Sequence, residues 1–381
     1  MSRIGFLAAL AALPLAGCLS LGQVADRGTT FDQSVGELQN RAILLNIARA
    51  SRHDPLYFVS AGSASATGSS DLRVGLPPVT FGPGLTVEQK QIAFGFGGSS
   101  SYDQNTNTNV SLGVYNTHDF YVGLMSSLRL DELDLLLRQG FPRELVYMLT
   151  IDKARITPPG GRPYYIYNDP RDPARYALFV RAIQTAMEHG LTTEVAPVQP
   201  ATPPSGGDAG KAPPPVVQQC FDRALATEAA NAEFDQLSAA HPGGLDLCGT
   251  GATSGKSQAV YFDGPDKPPS QVEVVFRSTY GIFQYLGGIV AAPDAQTPQL
   301  LDYHIPGETT PAGPLLDVRR AGGVLGTGCF TAITYGGEHF CVPAEGDMRN
   351  TKDVFGILVA LLALKQSPGD LPAPQAVLLA P

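Results

Sequence analysis

Positive charge, histidine and short catalytic signatures are all scarce in this sequence. Lys and Arg number 26 against 35 Asp and Glu, a formal net charge of −9, whereas a nucleic-acid-binding surface is basic. Nucleic acid is therefore not an expected partner. The six histidines are scattered, and there is no Cys-x-x-Cys, His-Glu-x-x-His or Gly-x-Ser-x-Gly. Zinc, metallopeptidase and nucleophile-elbow chemistry thus have nothing to build on. No catalytic residue, metal or cofactor is expected. Long apolar runs are missing too. Val354 to Leu364, eleven residues, spans ~16 Å as a helix, about half a bilayer core, and reads as a buried helix.

What is present is enough to fold. Hydrophobic residues make up 43% of 381 positions, which excludes pure disorder and allows two modest domains or one large one. Gly and Pro, at 42 and 32 residues, put much of the chain in turns and loops.

Met1 to Gly17 combines one positive charge, Arg3, an apolar run from Ile4 to Leu15 and the small pair Ala16-Gly17. That is the layout of a secretory signal. Leu15-Ala16-Gly17-Cys18 resembles the lipobox of bacterial lipoproteins, cleaved before a cysteine that then carries a diacylglyceryl thioether and an N-acyl chain. The resemblance implies lipidation at Cys18, and several acyl chains anchor stably where one does not. Residue 19 is Leu, not the Asp that retains such proteins at the inner membrane. The implied destination is the outer membrane, facing the periplasm.

Four further cysteines, Cys220, Cys248, Cys329 and Cys341, suit an oxidising compartment. Sequence proximity favours Cys220–Cys248 and Cys329–Cys341, although four cysteines allow three pairings. A two-residue turn at Gly336-Gly337 would pair Tyr335 with Glu338 and Ala332 with Cys341. Cys329 would then be three residues out of register, about 10 Å at the strand rise, beyond disulfide reach. Either the turn is longer or bulged, or the pairing is not the local one.

Along the chain, the spacing of Val35, Leu38, Ala42 and Leu45 predicts a helix over 31–51 with those residues as its apolar stripe, ended by Asp54-Pro55. Leu56 to Ser60 reads as a strand and 61–84 as irregular. Ile92, Phe94 and Phe96, then Val110, Leu112 and Val114, alternate with small or polar residues and predict a hairpin over 91–121. Helices are expected over 131–139, 142–151, 172–190, 220–240, 280–290 and 353–366. Strands are expected over 271–276 and 315–319, with a hairpin over 330–342. Seven of the twenty residues from Ala196 to Pro215 are Pro, a linker or a solvated loop.

Three stretches resemble a group of uncharacterised proteobacterial lipoproteins with no assigned activity. They are Asn40 to Ala50 with Asp54-Pro55-Leu56-Tyr57-Phe58, Arg277 to Gly287, and the Gly336 to Pro343 hairpin with its closing helix. The match straddles the Pro-rich stretch and so implies one architecture.

Other patterns have bland readings that outweigh the sharp ones. Thr250 to Ser257 lacks the first Gly of a phosphate-binding loop and any preceding hydrophobic strand, so a loop is expected. His53-Asp54 and His118-Asp119 suggest a base with its carboxylate, yet at element ends they are ordinary turn chemistry. Arg41, Arg49 and Arg52 suggest a contact with headgroups or a partner, against a solvated helix face. Tyr164-Tyr165-Ile166-Tyr167 suggests an aromatic platform, against an aromatic strand burying one face.

The expected fold is α+β. Its parts are a signal peptide (1–17), a lipid-anchored tether (18–30), an α+β region (31–195) with the 91–121 hairpin, a Pro-rich linker or loop (196–217) and a disulfide-bearing α+β region (218–381). The expected function is that of a non-enzymatic outer-membrane lipoprotein, an accessory or assembly subunit of an envelope complex. Alternatives are an oligomeric pore or export channel built from one hairpin per protomer, and a periplasmic enzyme of unrecognised class. The expected partners are the membrane, through the anchor, and a homo-oligomer or envelope complex.

Overall fold

A computed structural model describes residues 33–66, 108–114, 118–196, 216–240, 246–249, 259–261, 270–292, 299–300, 313–321, 328–346 and 348–366. The fold is α+β, with helices packed around several short antiparallel sheets.

Helix α1 spans 33–51. Its predicted stripe of Val35, Leu38, Ala42 and Leu45 is only half-buried. The buried positions are Ile43, Leu44, Asn46, Ile47, Ala48 and Ala50, centred on the other side of the helix. From Ala42 to Ala50 the polar residues are Asn46 and Arg49, and Asn46 is itself buried, its Nδ2 donating to Tyr57 O at 2.8 Å, so polarity alone does not mark the core side. The helix closes in a Schellman motif: Asp54 N–H donates to Arg49 O at 2.9 Å and His53 N–H to Ala50 O at 3.1 Å. His53 takes the left-handed position, φ 60°, usual for Gly at this site.

Next come α2 (His118–Met125), α3 (Leu130–Arg138) and α4 (Arg143–Thr150). Gly140, at φ 87°, stops α3 as expected. Every residue of α4 is buried, and the chain passes from it directly into β3 (Ile151–Thr157), then β4 (Tyr164–Tyr167) and α5 (Pro173–Glu188). Asp172 caps α5 by accepting from Arg175 N–H at 3.3 Å. Strands β5 (Leu191–Ala196) and β6 (Val216–Phe221) pair in continuous register from Leu191↔Phe221 to Ala196↔Val216. Residues 197–215 therefore join two strands of one ladder.

The helix predicted over 220–240 is corrected here. Cys220 and Phe221 end a strand, and α6 spans Glu228–Ala240. Asp222 breaks the run: its carboxylate takes the Ala224 N–H at 2.9 Å, a local turn that competes with helix.

Strands β7 (Ala259–Tyr261) and β8 (Ser270–Phe276) precede α7 (Thr279–Ala291). The central sheet has order β4-β3-β8-β7, all antiparallel. Ala154, Ile156 and Ile166 are buried on its inner face. Beyond the two-residue β9 (Gln299–Leu300) and β10 (Gly313–Pro314) come β11 (Arg319–Ala321), β12 (Cys329–Tyr335) and β13 (Glu338–Pro343), in sheet order β11-β13-β12. The strand predicted over 315–319 is displaced: Leu315 and Leu316 are buried between short strands. Helix α8 (Arg349–Leu364) buries Val354, Phe355, Leu358 and Leu361, as its uninterrupted apolar run required. Among the described residues no helix is long and apolar enough to cross a membrane.

A second, smaller unit contains β1 (Val59–Ala66) and β2 (Thr108–Val114), paired antiparallel. Of the hairpin predicted over 91–121, residues 91–107 lie outside the described residues, the second arm is a strand over Thr108–Val114, and the end of that arm is corrected. Among the described residues the partner of 108–114 is 59–66, Val59 followed by Ser, Ala and Gly, whose lack of apolar alternation hides a strand. Residues 118–121 belong to α2, where Asp119 sits in the first turn and complements the helix dipole.

Candidate functional site: a groove and an open sheet face

Because α4 runs into β3 without a loop, the last carbonyls of the helix lack helical partners. Two buried side chains supply donors. Asn168 Nδ2 donates to Met148 O at 2.6 Å and Ile151 O at 2.8 Å. Arg277 Nη1 donates to Leu149 O at 3.2 Å and to Ile151 O, and Nη2 donates to Asn168 O. The Arg277 backbone N–H adds Thr150 O at 2.7 Å. A cation is favoured where helix carbonyls converge. The Tyr285 ring covers the guanidinium, 3.9 Å from its centre, and Asp152 lies 3.8 Å from Nε. Burial pulls the Arg277 pKa down, pushes Tyr285 up to about 12, and raises Tyr176 as well.

In front of this hub lies a groove of about 670 Å³. Its lining includes Asp152, Asp169 and Arg171, the α7 residues Gly281, Gln284 and Gly288, and Met125 and Val275. Most of its charge is answered within the chain. Arg171 grips Asp169 through two bonds of 2.8 and 2.9 Å, which holds that carboxyl below the usual range. Ser278 Oγ caps α7 by accepting from Gly281 N–H at 3.0 Å.

His53 lines the groove, but the Asp54 carboxylate accepts from Tyr335 Oη at 2.8 Å and serves the fold. His118 and Asp119 lie 3.4 Å apart and are more than 80% exposed, a solvated pair at a helix start.

Val275 belongs both to the groove and to the outer face of the central sheet. Register places Lys153 opposite Tyr167 and Val275, and Arg155 opposite Tyr165 and Glu273. Arg155 pairs with Glu273 at 3.1 Å. The rings of Tyr165 and Tyr167 are 6.2 Å apart, and Arg175 lies 5.4 Å over Tyr167. The strand expected at 164–167 is present, but the tyrosines do not form its buried face. Ile166 is the buried residue, while Tyr164 and Tyr165 are 44% and 48% exposed.

The arginines of α1 are largely used internally. Arg41 pairs with Glu37 and Arg52 with Glu338 at 3.2 Å, while Arg49 lies 5.0 Å over Tyr57. The three stretches that carry the family resemblance meet here. A Cβ on Gly287 would lie 2.5 Å from Ala50, and one on Gly336 would lie 2.1 Å from Arg52 Nη1.

Both local disulfides form, Cys220–Cys248 and Cys329–Cys341, with Cα separations of 5.0 and 5.6 Å. The turn at Gly336-Gly337 is the tight one, pairing Tyr335 with Glu338 and Ala332 with Cys341. A bulge between Cys329 and Thr331 removes one residue of the offset, which resolves the register conflict by the bulged alternative. Glu194 lies beside Cys220 and Cys248, but the sulfurs bond each other and the carboxylate accepts from Gln218 Nε2 and Gly249 N–H. Cys18 and Thr250 to Ser257 lie outside the described residues.

Arg277, Asn168 and Lys153 carry no sequence signature: Arg277 reaches carbonyls 126 and 128 positions away, Asn168 reaches 17 and 20 positions back, and the outer-face position of Lys153 is set by strand register. No protein family, curated protein or solved structure matches the chain.

Proposed function

We propose that the protein is a lipid-anchored component of the bacterial outer membrane that faces the periplasm and works by binding, as an accessory or assembly subunit of an envelope complex. The observation that carries this is Leu15-Ala16-Gly17-Cys18 directly after an apolar run headed by Arg3. The two disulfides support an oxidising compartment. The structural employment of Arg277, Asn168, Asp169 and Asp54 supports binding over chemistry. Radiolabelled palmitate should enter the wild-type protein and not Cys18→Ala, and the variant should leave the membrane fraction or accumulate as precursor. Normal processing and outer-membrane fractionation of Cys18→Ala would refute the anchor.

A second reading, a homo-oligomer joined through the smaller unit, is favoured by its strands β1 and β2, which pair with each other and carry no formal charge to oppose further pairing. Blue-native electrophoresis of the detergent-extracted protein tests it. A monomer ends that reading.

A further inference from the structure

We propose that the outer face of the β4-β3-β8-β7 sheet, from Tyr165 to Val275 at the rim of the groove, binds an acidic glycan. Tyr165 and Tyr167 stand on it as neighbouring rings, inclined by 35°. Rings presented on a paired strand give flat apolar surfaces against which the C–H face of a pyranose stacks, with the phenol tip free to hydrogen-bond.

Cations stand beside both rings. Arg155 is opposite Tyr165, Lys153 is opposite Tyr167, and Arg175 lies over Tyr167. Glu273 shares Arg155 and Asp172 shares Arg175, at 3.1 and 3.4 Å. Lys153 has no ion-pair partner among the described residues. Three cations against two carboxylates leave this strip one positive charge in excess, at Lys153, on a chain of net charge −9, and it is complementary to carboxylate or phosphate.

The rest of the face distinguishes glycan from protein. Along β3 and β8 it carries Lys153, Arg155, Thr157, Gln271 and Glu273, with aliphatic residues only at its ends, Val275 and, opposite Gln271 on β7, Val260. A protein partner needs a desolvated apolar centre. Donors and acceptors spaced between two rings match a polyhydroxyl ligand instead.

Affinity electrophoresis of the full-length, detergent-extracted protein tests this in native gels cast with polygalacturonate, hyaluronate or neutral dextran. Retardation by at least one acidic polymer is expected, weakening with added salt, with none by dextran. Tyr165→Ala and Lys153→Gln should each weaken it at least fivefold at unchanged melting temperature, while Arg41→Gln leaves it intact. Cys18→Ala should also leave it intact, which separates this proposal from the anchor. No retardation by either acidic polymer, equal retardation by dextran, or full retention in the Tyr165 and Lys153 variants would overturn it.

Discussion

The hub around Arg277 and the strip around Lys153 are built from the same two strands, and they use charge in opposite ways. Arg277 is buried, with its donors on the carbonyls of Leu149, Ile151 and Asn168 and its flat face under Tyr285. Lys153 lies on the outer face between a tyrosine and a valine, with no carboxylate partner among the described residues. A cation held by its own backbone is part of the fold. One with no carboxylate partner among the described residues is open to a ligand. The difference separates architecture from recognition within a single sheet.

The contrast breaks if the two cations respond alike to removal. Arg277→Met should cost about 3–5 kcal/mol, the range for stripping one side of a buried charged network, because several carbonyls lose their donor at once. Lys153→Met should change stability by no more than about 0.5 kcal/mol. Urea unfolding of both variants makes the comparison, and similar midpoints would dissolve the distinction.

The disulfides come next in size. Each should contribute about 2–4 kcal/mol, with Cys220–Cys248 the larger because it closes 28 positions against 12. Paired serine replacements, read by thermal melting, rank them. A larger effect at Cys329–Cys341 would mean that loop entropy does not govern the order.

Alkali sharpens the picture of the hub. Tyr285 is held at about 12 by burial against about 10 in an unfolded chain, so the folded state keeps its proton more tightly. Its contribution is complete below pH 10 and is lost as pH rises through about 12, on the order of 2–3 kcal/mol at 1.36 kcal/mol per unit. Tyr176 acts with the same sign. The urea midpoint should fall between pH 9 and 11, and Tyr285→Phe should flatten that slope. An equal slope in the variant would place the alkaline sensitivity elsewhere. Smallest of all, Tyr165→Ala should leave the midpoint within about 0.5 kcal/mol of wild type.

Local signals were the legible part of this fold. Gly140, Asp172-Pro173 and the Gly336-Gly337 turn each mark an element end through a conformation or a missing amide that neighbouring residues dictate. What escaped depends on distant partners. Val59 to Ala66 is a strand only because 108–114 pairs with it, and its own small residues carry no period. In the second half of α1 apolar Leu45 is half-buried while polar Asn46 is buried, so the core face is chosen by the packing against it, Ala50 against Gly287 included. Of the site, Tyr164 to Tyr167 was visible as a strand, but its exposure was not, since the pattern Tyr-Tyr-Ile-Tyr fits burial of either face. Arg277 was legible only as one letter in a resemblance.

The α4–β3 junction also governs when the protein can finish folding. Ile151 O and Arg277 Nη1 are 126 positions apart, and β3 has no inner neighbour until β8 arrives. Contacts so distant in sequence slow folding, because loop closure precedes any gain. A chain delivered with its N-terminus first carries α4 with the Leu149 and Thr150 carbonyls still without Arg277 and β3 with an open edge, the type of intermediate prone to aggregate. The Cys220–Cys248 bond can close during that interval; the central sheet cannot. Completion waits for residue 277.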